Sequence, residues 1–72
     1  MELLSDKFIK RIENMFFLDI KKELEKEILH KDLTMKEINK LKKLPFVELT
    51  ELKHKYVLNI ITRSDKIVIV FN

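Results

Sequence analysis

The sequence predicts an α+β domain: a long N-terminal helix, bent if continuous, then one or two short helices and a C-terminal antiparallel β-hairpin. Three observations predict it. Apolar residues recur at helical spacing from Phe8 to Ile28. Thr34 and Glu37 form the Thr-x-x-Glu signature of a helix start. Residues 56–61 and 67–71 are short runs of β-branched, aromatic and aliphatic residues on either side of Arg63-Ser64-Asp65-Lys66. All 72 residues fall in a single small domain.

Ser5 is placed to cap the first helix, with Asp6 in the first turn complementing the helix dipole. Phe8, Ile9, Ile12, Met15 and Phe16 make one stripe, between about 340° and 100° on a helical wheel. Phe17, Ile20, Leu24 and Ile28 make a second, between about 120° and 200°. One straight helix cannot aim both at one neighbour. The helix either bends near Leu18-Asp19, the reading preferred because no Gly or Pro marks a break, or stops there and restarts with Asp19 as cap.

Residues 30–33 connect to the next helix, where Leu33 is placed for a hydrophobic staple against Ile38. That helix runs from Met35 to about Leu44 and is ended by Pro45. Residues 46–54 fit two patterns. Phe46, Leu49, Leu52 and Tyr56 recur at helical spacing, whereas Val47, Glu48, Leu49 and Thr50 alternate like a strand. A strand would need a hairpin turn within Leu52-Lys53-His54, which holds no turn former, so a helix is expected.

Within the hairpin, Ile60 pairs with Ile69, Leu58 with Phe71, Ile61 with Val68 and Asn59 with Val70, leaving residues 63–66 as the turn. Tyr56, Leu58, Ile60, Ile67, Ile69 and Phe71 then share the face expected to pack on the helices. The other face carries Val57, Ile61, Val68 and Val70. Burying each of these is worth roughly 1.5–3 kcal/mol, a large share of the ~5 kcal/mol or more that holds a small domain together. Three kinds of cover satisfy it: the long helix, a second copy of the chain, or another protein.

Composition narrows the chemistry. There is no Cys, hence no disulfide or thiolate metal site, and no Gly, hence no glycine-rich phosphate loop. Any left-handed backbone position is expected at Asn or Asp. The start of the chain lacks the basic and apolar regions of a signal peptide, and the longest apolar run, residues 67–71, is far short of the ~20 that span a bilayer. A soluble cytoplasmic protein without membrane contact is expected. Abundant Lys, Ile, Asn and Phe suit an AT-rich coding sequence such as that of a low-GC bacterium, its phage or another mobile element.

No catalytic constellation is visible. His30 and His54 have no metal-ligand spacing, Ser5 and Ser64 read as cap and turn, and Glu23, Glu25 and Glu27 interleave with lysines as a solvated helix face. Neither enzyme activity, cofactor, metal nor small-molecule substrate is expected.

Net charge is +3, and residues 34–55 carry six basic against three acidic residues. Lys36, Lys40 and Lys43 align on one helix face with Asn39 beside them, and Arg63 and Lys66 add charge at the hairpin tip. Helices followed by a hairpin resemble a winged-helix domain over residues 29–71, which implies a DNA-binding transcriptional regulator with those six residues on phosphate. Against it, a recognition helix at 46–54 would present Glu48 and Glu51 to DNA and holds no Arg, Asn or Gln to read bases.

The preferred functional expectation is a non-enzymatic protein-binding regulator or inhibitor. It would occlude a surface of a protein partner, or pair with itself, through Val57, Ile61, Val68 and Val70.

Overall fold

The computed structural model describes residues 3–50 and 53–72. Three helices, α1 (Asp6–Glu13), α2 (Phe17–Ile28) and α3 (Met35–Lys42), precede three strands, β1 (Val47–Leu49), β2 (Val57–Arg63) and β3 (Lys66–Phe71). The strands form one mixed sheet in the order β1-β3-β2, with β1 parallel and β2 antiparallel to β3. The α+β class holds, and two of its expected details are corrected.

First, the long N-terminal helix is two helices. Ser5 caps α1, its hydroxyl accepting from the Phe8 N–H at 3.2 Å. Asn14 then stops the helix. Its backbone N–H turns back to Arg11 O and its side-chain amide donates to Lys10 O. The break falls before Phe17 and not at Leu18-Asp19, so each stripe reaches the core on its own axis: Phe8 and Ile12 from α1, Ile20, Leu24 and Ile28 from α2. Phe16, expected in the first stripe, is left 83% exposed at the corner.

Second, the segment after Pro45 contains a strand where a helix was expected; Glu51 and Leu52 lie outside the described residues. The reason is long-range. A two-stranded hairpin would leave the outer edge of β3 with unpaired backbone groups. β1 satisfies them: Ile67 N–H donates to Phe46 O at 2.8 Å, and Thr50 N–H donates to Ile69 O at 3.1 Å. The Thr50 hydroxyl also accepts from Phe71 N–H at 3.0 Å. β1 and β2 lie on opposite sides of β3, so the two are not paired with each other as a hairpin.

The capping box forms as read from the sequence, with Thr34 and Glu37 bonding each other's backbone. Leu33 and Ile38 are both buried in the core, as a staple requires. The same core takes Leu4, Leu41 and Leu44, together with the inner face of the sheet. Among the described residues, no helix packs on the opposite face of the sheet.

Left-handed backbone falls on His30 (φ 61°) and Ser64 (φ 55°), neither of them the expected Asn or Asp. His30 stacks on Tyr56, ring centroids 6.2 Å apart, which fixes it after α2. Ser64 is the first of two loop residues, and positive φ there alone is the sign pattern of a II′ turn, which favours Gly. Ser64→Gly is therefore expected to stabilise the fold by about 0.5–1 kcal/mol. Thermal unfolding checks this: the midpoint should rise by about 3–6 °C, and an unchanged or lower midpoint counts against the turn geometry.

Candidate functional site

The open face of the sheet is built by a β-bulge. Expected pairs Ile60 with Ile69, Ile61 with Val68 and Asn59 with Val70 are all present. Beyond Asn59 the register shifts, and Val57, not Leu58, stands opposite Phe71. Leu58 is the extra residue. Val57 therefore turns inward and is 0% exposed in the core, while Leu58 and Asn59 both turn out, Leu58 being 47% exposed. This corrects the expected binding face: Val57 leaves it and Leu58 joins it.

Local hydrogen bonds explain where the bulge falls. Val57 N–H donates to Lys31 O, and Val57 O accepts from His30 N–H, both at 2.9 Å. The connector after α2 thus pins the start of β2 and aims Val57 at the core. Tyr56 O meanwhile accepts from Asn72 N–H. Only Asn59, a poor strand former in the middle of an apolar run, hints at the irregularity in sequence.

The resulting face has an apolar centre and charged margins. Val68 and Val70 lie on the central strand, with Ile61 (42% exposed) beside Val68 on β2. Val68 is only 3% exposed although no helix among the described residues covers it. Glu48 on β1 and Arg63 on β2 form an ion pair across β3, and with Ile61 they wall Val68 in. Lys66 donates to Pro45 O, which ties the hairpin tip to the end of α3. The face is therefore apolar at its middle, with the Glu48–Arg63 pair and the additional positive charge of Lys66 at its margin.

The residues expected to contact nucleic acid do not form one free row. The Lys40 ammonium donates to Leu4 O at 2.8 Å and pairs with Asp6 at 3.2 Å. Arg63 and Lys66 hold Glu48 and Pro45 as above. Lys36, Asn39 and Lys43 stand on the exposed side of α3. In place of the recognition helix, β1 forms one edge of the sheet, with its Glu48 paired to Arg63.

Sequence reasoning missed the role of Glu37 beyond its own cap. Its carboxylate accepts from Thr34 N–H and from Leu3 N–H, both at 2.8 Å. With Lys40 one turn on, it grips the backbone of residues 3–4 and seats Leu4 in the core. Burial by itself raises a carboxyl pKa, but the N–H groups of Thr34, Leu3 and Leu4 and the Thr34 hydroxyl outweigh it. Glu37 is held below the ordinary glutamate value of 4.5.

Elsewhere, an open cleft between α1 and α2 is lined by Ser5, Lys7, Phe8, Arg11 and Glu27. Ser5 is used as the cap, and Arg11 lies over the Phe8 ring and reaches Glu23. Among the described residues, no three His, Cys, Asp or Glu side chains gather as a metal ion would require. No helix among them is long and apolar enough to cross a membrane. No protein family, curated protein or solved structure matches the chain.

Proposed function

We propose that this chain is a small non-enzymatic binding protein, a regulator or inhibitor that occludes a surface of another protein with the open face of its sheet. The observation that carries the reading is the division of the sheet. One face is packed by helices, and the other presents Leu58, Ile61 and the half-buried Val70 around a buried Val68, beside the Glu48–Arg63 ion pair. An apolar centre with a polar margin is the anatomy of a protein interface. Affinity comes from covering Leu58 and Ile61, and orientation from Glu48, Arg63 and Lys66 at the rim.

A photo-crosslinking side chain at Ile61, introduced in the cells from which the chain derives, tests this. It should give one discrete adduct to a different protein, and that adduct should disappear when Val70→Lys is added. Val70 is half-buried on the open face, so this lysine can reach solvent and the fold should survive. The same crosslinker at Asn39, on α3, should give no such adduct. An adduct at Asn39 alone, or an adduct to a different protein at Ile61 that is indifferent to Val70→Lys, would remove the open face from the function.

A further inference from the structure

We propose that a second copy of the chain pairs antiparallel with the free edge of β2, placing Ile61 opposite the second copy's Ile61. This goes beyond the binding reading above, because it concerns the edge of the sheet and not its face. On β3, Ile67 and Ile69 direct their backbone groups at β1. Alternation then turns Lys66, Val68 and Val70 towards Arg63, Ile61 and Asn59 of β2. Ile60 and Thr62 are left with N–H and C=O aimed at the outer edge. The Asn59 side chain shows this directly, since its oxygen accepts the Ile60 N–H at 2.9 Å.

The length of that edge is self-matching. At one end the connector occupies it, bonded to Val57 and bridging from Asp32 to Tyr56. At the other end the Ser64-Asp65 turn closes it. What remains, residues 59–63, is centred on Ile61. An antiparallel copy of the same residues sets Ile60 against the second copy's Thr62 twice over, satisfying all four outward N–H and C=O pairs. It sets Asn59 beside the second copy's Arg63, whose charge Glu48 already balances. It also brings the two exposed Ile61 side chains together. The two sheets become one of six strands with a continuous open face. Asn59 shields the edge in the single copy, so the pairing is a weak and reversible one.

Sedimentation equilibrium from micromolar to millimolar loading tests it. The parent should move from 8.7 kDa towards twice that mass. Thr62→Pro removes only an outward N–H, so it should stay folded by circular dichroism and stay monomeric. Thr62→Val, which keeps the N–H, should dimerise like the parent. Ile61→Lys sets two like charges across the axis and should weaken association by about tenfold or more. It also decides the matter should Thr62→Pro fail to fold. A parent that stays monomeric at millimolar concentration overturns the proposal. So does folded Thr62→Pro, or folded Ile61→Lys, that associates as tightly as the parent. Val70→Lys separates this from the face reading: it should lose the crosslinked partner and keep the dimer, whereas Thr62→Pro should do the reverse.

Discussion

Val57→Lys should unfold the protein, while Leu58→Lys, one residue on, should leave it close to the parent. Val57 is fully buried opposite Phe71, with both backbone groups bonded to the connector. A lysine there has no acidic partner in the surrounding apolar cluster. Burying an unpaired ammonium costs several kcal/mol, and a domain this small has a reserve near the low end of about 5–15 kcal/mol. Leu58 is half in water on the open face, and a surface change of this kind is usually worth about 0.5 kcal/mol. Urea unfolding of the two variants checks the contrast. Without the bulge the positions exchange roles, so a tolerant Val57 and an intolerant Leu58 would overturn the register described here.

Glu37→Ala should cost about 2–4 kcal/mol, far more than an ordinary helix-cap deletion. The carboxylate is the acceptor for Thr34 and Leu3 N–H, so its loss strands donors at two places in the chain. Leu4, fully buried beside it, then loses the anchor that seats it. The effect has a definite pH dependence. Because the folded pKa lies below 4.5, the stabilisation from the charged form is complete above that value. It is lost as pH falls through the lower, folded pKa. Glu37→Gln has no such titration. Urea midpoints of parent and Glu37→Gln should therefore be well separated at neutral pH and converge as pH falls below 4.5. A gap that is constant with pH would show that the charge on Glu37 does not matter to the fold.

How far the sequence reveals this molecule depends on the range of the interaction concerned. The Thr34–Glu37 capping box and the Ser64-Asp65 turn are local, set within four residues, and both stand in the structure as read. The register of Ile60 with Ile69 follows from alternation and also stands. The break between α1 and α2 was half legible. The rotation of the apolar stripe demanded a change of direction, but Asn14 as a stop signal is easily overlooked where no Gly or Pro is present. β1 was ambiguous because only three residues are involved, and their state is decided by β3, some twenty residues away. The bulge was not legible, since its cause is the connector's grip on Val57, a contact across the fold.

The same contrast governs the candidate surface. Ile61, Val68 and Val70 are found on the open face, where alternation puts them. Val57 was assigned there by unbroken alternation and is displaced by the one inserted residue. Of the basic residues, Lys40 could not be recognised as a clamp, because its partners Leu4 and Asp6 lie more than thirty residues earlier in the chain.

The bulge in β2 leaves the sheet with one packed face and one open apolar face. Methyl relaxation measured in the presence of a soluble paramagnetic probe tests it most directly. The methyl groups of Leu58 and Ile61 should be strongly relaxed, and those of Val57, Ile60 and Ile69 protected. Strong relaxation at Val57 with protection at Leu58 would contradict this division of the sheet.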